Sequence, residues 1–156
     1  VPQVKPNSGN VTFDGPGENE DFGLEQVTGN ASDRYLFRTS PLRNVSLQPA
    51  FFHNGAFTRL EDAINHHLNA VASARRYSPA RAGLDQDLQG RPGPIQPVLN
   101  RLDPLIAAPP VLTEVQFSDL VEFVRNGLLD PRARPENLRS LIPKHVPSGR
   151  AIQNFQ

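Results

Sequence analysis

The sequence contains no cysteine, no excess of charge of either sign and no long apolar run. Without cysteine, disulfide bonds, thiol nucleophiles and zinc–thiolate sites are excluded. The formal net charge is zero, so bulk electrostatics give no support to a nucleic-acid or anionic-membrane partner. No apolar stretch reaches the length of a membrane-spanning helix. The start of the chain also lacks the basic and apolar pattern of a signal peptide.

The composition predicts one domain with much ordered but irregular backbone. The 156 residues suffice for a single domain with a modest core. The hydrophobic share of 37% is below the usual globular value, and 16 prolines and 11 glycines interrupt the chain. Residues 1–34 are rich in Gly, Asn, Asp and Pro and are predicted to form loops and turns.

The first predicted helix begins at Thr58 and runs to about residue 73. Thr58 and Glu61 form a Thr-x-x-Glu capping box, a pattern typical of helix starts. On this pattern His67 faces inward, and His66 points toward the flank of the helix. The apolar face at helical spacing is predicted to comprise Leu60, Ala63, Ile64, His67, Leu68 and Val71.

The second predicted helix begins at Thr113, where Thr113 and Gln116 repeat the capping-box pattern. Asp130-Pro131 is predicted to end it, and a short helix is predicted near residues 135–142. No strand alternation persists along the chain, so the predicted fold class is mainly α with long irregular loops. The apolar stripe of the second helix is predicted to comprise Phe117, Leu120, Val121, Val124 and Leu128.

Residues 74–112 are predicted to form a loop insertion, because the stretch is too long for an ordinary connection. One interpretation is that the insertion reaches a partner or covers the edge of a cofactor. The other is a solvated surface loop. The arginines of this insertion are Arg75, Arg76, Arg81, Arg91 and Arg101.

Three motifs follow one another in the first half of the chain. They are Phe37-Arg-Thr-Ser-Pro-Leu-Arg-Asn-Val45, Phe51-Phe-His-Asn-Gly55 and Leu60-Glu-Asp-Ala-Ile64. In order and spacing they resemble the Phe-Lys/Arg-x-Pro-x-Leu-Arg-Asn-Val segment, the aromatic-Phe/Met-His-Asp/Ser-Gly turn and the Leu-Glu-Glu-Ala-Val helix start of the bacterial dihaem cytochrome c peroxidases. That family also contains the MauG-type enzymes.

The resemblance implies a fold and a parent protein. The family has two cytochrome c-like helical domains, each with one c-type haem. Residues 1–156 are therefore expected to form part of the C-terminal, cytochrome c-like domain, with its Cys-x-x-Cys-His motif upstream of Val1. The parent is expected to be a periplasmic oxidoreductase in which peroxide reacts at the N-terminal haem and the C-terminal haem relays electrons. The chain by itself is expected to be inactive.

The resemblance also implies an iron ligand. In the family, the residue 14 positions beyond the turn histidine is the distal ligand of the C-terminal haem, Met in the peroxidases and Tyr in the MauG type. Fourteen positions beyond His53 is His67. A slip of one residue would make His66 the ligand instead, and the ordinary alternative for His67 is a hydrogen-bonded core histidine. Histidine in place of Met is expected to lower the haem potential.

Arg43, Pro41 and His53 are the residues expected to surround the cofactor. A guanidinium forms a planar fork that suits a carboxylate, and haem propionates are carboxylates. The alternative for Arg43 is an internal salt bridge, for instance to Asp33 or Glu61. His53 is expected near a propionate or between the two haems, and the alternative is a turn histidine that hydrogen-bonds backbone.

Gln48 and Ala50 match positions whose backbone carbonyls help to bind an inter-domain calcium ion in the peroxidases. Calcium takes oxygen ligands, and backbone carbonyls can supply them. In this sequence Gln48 and Ala50 replace the family's Thr and Pro. The expected partners are the missing N-terminal part of the protein, a small cytochrome or cupredoxin as electron donor, and a second copy in a homodimer. The rival hypothesis is a haem-free binding or structural module of the same scaffold, which docks an acidic protein through residues 74–112.

Overall fold

The computed structural model describes residues 1–5 and 20–151. Over these ranges the chain is mainly helical with long irregular connections, which confirms the predicted class. The only strand-like pairings there are two isolated bridges, Gly23 with Leu36 and Phe51 with Phe57. In the same ranges no helix has the length and apolar character needed to cross a membrane. Residues 6–19 of the segment predicted to form loops and turns lie outside the described residues, and its described part contains short helical turns at Glu25–Thr28 and Ala31–Asp33.

The α-helices are short. They are α1 (Glu25–Thr28), α2 (Leu60–Leu68), α3 (Ala70–Arg75), α4 (Gln96–Leu99), α5 (Pro104–Ala107), α6 (Glu114–Glu122) and α7 (Pro135–Leu138). Single 3₁₀ turns lie at Ala31–Asp33, Val45–Leu47, Gln86–Leu88, Pro131–Ala133 and Arg139–Leu141, and a wider π turn at Phe123–Gly127 extends α6.

The start of α2 differs from the prediction. Arg59 is the N-cap residue of α2, and its side chain makes no capping hydrogen bond. The hydroxyl of Thr58 instead donates to the carbonyl of Ala82, at 2.6 Å. The predicted capping box at Thr58 is therefore wrong, because a tertiary contact with the insertion takes up the hydroxyl.

A break divides the first predicted helix. Asn69 has φ −154° and ψ 53°, far from helical values, and separates α2 from α3. The second of these helices ends at Arg75, close to the predicted end at residue 73. The predicted helical region is thus present, but as two pieces.

The prediction for α6 is confirmed. Thr113 Oγ1 accepts from the amide of Gln116 at 3.2 Å, and Gln116 Oε1 accepts from the amide of Thr113 at 2.9 Å. Val121 and Val124 are buried, so the predicted stripe faces the core. The predicted short helix near residues 135–142 is also present, as α7 and the 3₁₀ turn after it.

One small core joins the three motifs to the end of α6. It comprises Phe51, Ala56, Phe57, Leu60, Ala63 and Val124. Val1, Val4, Val45, Phe52, Ile64, Tyr77, Leu120 and Leu128 are partly buried against it. The turn at residues 51–55 therefore sits where α2 meets α6.

Asn44 fastens the first motif to the end of α6. Its backbone amide donates to the carbonyl of Leu128 at 3.0 Å, and its Oδ1 accepts from the amide of Asp130 at 2.7 Å. Ser46 adds a bond from its hydroxyl to the carbonyl of Arg125 at 2.8 Å. Asn44 adopts φ 61°, a left-handed conformation that asparagine tolerates better than most residues.

The insertion at residues 74–112 folds back against the rest of the chain. The amides of Gly90 and Gly93 donate to the carbonyls of Lys5 and Gln3, at 3.0 and 2.9 Å. Within the insertion, Ala82 and Leu84 are buried. Nη1 of Arg101 lies 2.9 to 3.3 Å from three carbonyl oxygens, those of Ala31, Ser32 and Arg34.

Arg101→Ala is expected to loosen α4 and α5 without unfolding the core. The substitution removes the donor that three carbonyls share, so these short helices lose their attachment to the turn at 31–34. We expect several-fold faster amide hydrogen exchange over residues 96–107, measured by mass spectrometry. Arg91→Ala, an exposed arginine of the same insertion, is the matched control. Equal exchange in both variants would contradict this account of Arg101.

Candidate functional site

His66 is the buried member of the adjacent histidine pair. Only 4% of it is exposed, and its Nδ1 lies 2.9 Å from the hydroxyl oxygen of Ser73. Its ring contacts Phe52 and Phe57, with centroids 5.3 and 5.1 Å away. The prediction that His66 points toward an open flank is therefore corrected, because α3 and two aromatic rings cover that side of α2.

His67 lies at the surface of this chain rather than in its core. Its ring contacts the ring of Phe52 at a centroid distance of 5.2 Å and that of the neighbouring His66 at 6.4 Å. No hydrogen bond reaches the His67 ring from the part of the chain that the structure describes. The inward orientation predicted from the apolar stripe is thus wrong for this chain, since His66 occupies the core. An external metal needs an accessible ring, so this position is compatible with a ligand role. That role stays a prediction.

Both histidines are held in the neutral form. Burial lowers the pKa of His66 to about 3, and desolvation by the surrounding protein also lowers the pKa of His67. Both rings are therefore neutral at pH 7, and neutral imidazole is the form that binds metals.

Phe52 lies between the two histidines and contacts both rings. Its backbone has φ 65°, an unusual conformation for a bulky residue. The turn around it is fixed by the amide of Phe51, which donates to the carbonyl of Phe57 at 2.8 Å. The turn motif therefore aims an aromatic ring at the end of α2.

His53 pairs with an acid that lies 32 residues away in sequence. Its Nε2 is 2.8 Å from Oδ2 of Asp21, and its ring stacks on Phe37 with centroids 3.9 Å apart and planes 14° from parallel. The alternative that His53 hydrogen-bonds backbone is therefore wrong. Only the fold shows this pair, since no acid lies near His53 in the sequence.

The His53 pair sets the pKa of Asp21. Burial alone would raise this pKa, but the hydrogen bonds from His53 and from the amide of Gly23 outweigh burial, and the pKa falls below its usual 3.8. A lowered carboxyl pKa stabilises the fold at pH values above 3.8. This stabilisation is lost as the pH falls from 3.8 through the folded-state pKa.

Asp21→Asn is expected to cost about 1–2 kcal/mol of unfolding free energy at pH 7, because a charged hydrogen bond is replaced by a neutral one. The difference in unfolding free energy between wild type and variant is expected to shrink as the pH falls below about 4. Urea unfolding at pH 7, 5 and 3 measures both effects. Asp87→Asn, an exposed carboxyl, serves as control, and a gap that does not change with pH would argue against the pairing.

Arg43 forms an internal salt bridge, as the alternative predicted, but its partner is Asp130 and neither of the two examples. Its Nη2 lies 3.0 Å from Oδ2 of Asp130, and 69% of its side chain is exposed. Asp33 and Glu61 have other partners. Arg132, and then Arg43, hold the pKa of Asp130 far below its usual range.

Pro41, Gln48 and Ala50 lie on the loop that carries Arg43. Pro41 and Gln48 are exposed, Ala50 is half-buried, and the amide of Gln48 donates to the carbonyl of Val45 at 3.1 Å. Over residues 1–5 and 20–151, no three His, Asp or Glu side chains lie close enough to hold a metal ion. The structure therefore gives the calcium expectation no support.

The residues present fit a haem edge in two respects. His67 offers a neutral, accessible imidazole, and the first motif leaves apolar side chains uncovered. In this part of the chain the exposed large apolar residues are Leu36, Phe37, Leu42 and Leu47.

Part of the chain is similar to cytochrome c peroxidases. The cytochrome c551 peroxidase of Pseudomonas aeruginosa is 48% identical over 44 residues, 28% of this chain and 13% of that protein. The cytochrome c551 peroxidase of Nitrosomonas europaea is 40% identical over 47 residues, 30% of this chain and 14% of that protein. The cytochrome-c peroxidase IdrP1 of a Pseudomonas species is 39% identical over 49 residues, 31% of this chain and 13% of that protein.

These matches are local. The matched stretches span only 13 to 14% of the curated relatives' length. No family model matches the chain, and no solved structure does. The similarity supports a relationship with the cytochrome c peroxidases through a segment of this chain.

Proposed function

We propose that this chain is part of a periplasmic dihaem peroxidase-type oxidoreductase, similar to cytochrome c peroxidases and MauG-type enzymes. In this proposal it forms one wall of the electron-transfer haem pocket, and His67 is the distal ligand of the iron. The observation that carries the proposal is the accessible, neutral imidazole of His67 beside Phe52. The local similarity to the peroxidases supports the haem as cofactor.

Each residue of the site has a distinct task in this proposal. His67 would hold the iron, Phe52 would limit the positions open to the imidazole, and the exposed guanidinium of Arg43 would meet a propionate. Asp130 holds Arg43 in place by the salt bridge described above. When bound, the haem would supply one-electron chemistry, and the axial ligand and its dry surroundings would tune the potential. His53 would present its ring, paired with Asp21, near the cofactor edge.

The start of the described chain supports the same place for the haem. Val1 and Val4 pack against the core cluster, and the carbonyl of Pro2 accepts from Nδ2 of Asn54 at 2.7 Å. A haem-attachment motif upstream of Val1 would therefore enter the molecule beside the core to which α2, the helix that carries His67, contributes.

The rival hypothesis of a haem-free docking module receives less support. It requires the arginines of residues 74–112 to be available to an acidic partner. Three of these five arginines are instead engaged within the chain. Arg101 contacts three carbonyls, Arg76 donates to the carbonyl of Ala72, and Arg75 donates to Oε1 of Gln96. A small cytochrome or cupredoxin remains the proposed electron donor.

An absorption spectrum of the native, full-length protein tests the proposal. We expect a Soret band and a pyridine haemochrome spectrum of c-type haem. The gene upstream of Val1 is expected to encode Cys-x-x-Cys-His. A protein without a Soret band would favour the haem-free module.

A further inference from the structure

His67 lies next to the end of an interrupted helix. Helix α2 ends at Leu68, Asn69 leaves the helical conformation, and α3 begins at Ala70. The last turn of a helix has carbonyls without intrahelical partners and tends to open locally. An iron ligand at such a place needs something that holds the helix end still.

Among the described residues, none makes the hydrogen bond that usually fixes the ring of a metal-binding histidine to His67. Such a histidine normally donates its second ring nitrogen to a carboxylate, carbonyl or water, and this bond sets the plane of the ring. Within residues 1–5 and 20–151, the protein supplies no hydrogen bond to the His67 ring. Its orientation in this chain must therefore come from the backbone of α2 and from the ring of Phe52.

The neighbouring His66 supplies a tie across the break. Its Nδ1 lies 2.9 Å from the hydroxyl oxygen of Ser73, so one side-chain hydrogen bond joins the end of α2 to α3. The His66 ring is 4% exposed and contacts both Phe52 and Phe57, which leaves it little room to turn.

We propose that His66 and Ser73 are positioning residues. Their hydrogen bond fixes the end of α2 and thereby the ring plane of the iron ligand His67. The inference rests on the proposed function and deepens it. The coupling runs through the helix backbone and through Phe52, whose ring contacts both imidazoles. In this proposal the His67 ring is oriented through the neighbouring His66 and not through a hydrogen bond of its own.

The experiment compares three serine variants in the full-length haem protein. Ser73→Ala removes the hydroxyl, and Ser73→Thr keeps it. Ser73 lines an open cleft of about 240 Å³, so the added methyl group has space. Ser78→Ala is the matched control, because Ser78 lines the same cleft and makes no hydrogen bond to His66.

Electron paramagnetic resonance reports the ring plane of an axial histidine through the largest g value of the low-spin signal. We expect Ser73→Ala to shift and broaden this feature, and Ser73→Thr and Ser78→Ala to keep the wild-type value. Amide hydrogen exchange at residues 67–71 is expected to rise roughly two- to tenfold in Ser73→Ala, as expected for the loss of one hydrogen bond.

Each outcome decides the inference. An unchanged g value in Ser73→Ala overturns it, even with faster exchange, because the hydroxyl would then be structural only. A Ser73→Thr spectrum as altered as that of Ser73→Ala overturns it too. Failure of the proposed function has a different signature, since His67→Ala would then leave the low-spin signal in place. If His67→Ala abolishes the signal and Ser73→Ala does not alter it, the ligand role stands and only the positioning role fails.

Discussion

Replacing His67 with Ala is expected to abolish the six-coordinate, low-spin signal of one haem in the full-length protein. Alanine offers no ligand, and the buried His66 cannot replace it without leaving its contacts with Ser73, Phe52 and Phe57. The iron should therefore become five-coordinate or bind water. Electron paramagnetic resonance and the visible spectrum of the oxidised protein measure the change.

Two variants control for this result. His67→Met is expected to restore six-coordination and to raise the potential of that haem, because a thioether ligand favours the reduced iron more than imidazole does. His145→Ala, which changes an exposed histidine far along the chain, is expected to leave both spectra unchanged. If His67→Ala keeps the wild-type spectrum while His66→Asn loses the low-spin signal, then His66 is the ligand.

Phe57→Ala is expected to cost about 3–5 kcal/mol of unfolding free energy, the usual range for truncation of a buried phenylalanine. Phe57 is 6% exposed and contacts three rings, those of Phe52, His66 and Tyr77. Truncation opens a cavity beneath the histidine pair, and nearby side chains can fill it only in part. Urea unfolding, followed by circular dichroism, measures the loss.

The control for this loss is Leu141→Ala. Leu141 is 73% exposed, so its truncation is expected to change the unfolding free energy by less than about 0.5 kcal/mol. Similar losses in the two variants would mean that Phe57 is not part of a tightly packed core.

Local sequence signals predicted the helices better than their boundaries. The capping box at Thr113 involves only the residues of one turn, so its sequence pattern sufficed. The same pattern at Thr58 failed because its hydroxyl has a partner at Ala82, 24 residues away. A capping-box pattern predicts that the hydroxyl bonds to a nearby backbone amide, but a tertiary hydrogen bond to the same hydroxyl can replace that local bond.

The sequence indicated which residues to consider as a candidate site, but it could not indicate the contacts that they make. Helical periodicity predicted that His67 faces the core, but His66 is the buried residue. Helix α2 has only nine residues, and Phe52 packs beside its end with a left-handed backbone conformation. The partners of His53 and Arg43 lie 32 and 87 residues away in sequence. Such pairings depend on how the chain folds, so no motif or spacing near either residue could indicate them.

The bonds between Asn44 and the end of α6 impose an order on biosynthesis. As the chain leaves the ribosome, Asn44 emerges long before Leu128 and Asp130 have been made. Until then water is the main partner of its backbone amide and side chain, and little favours its left-handed conformation. The loop that carries Arg43 can therefore reach its final shape only once translation has passed residue 130.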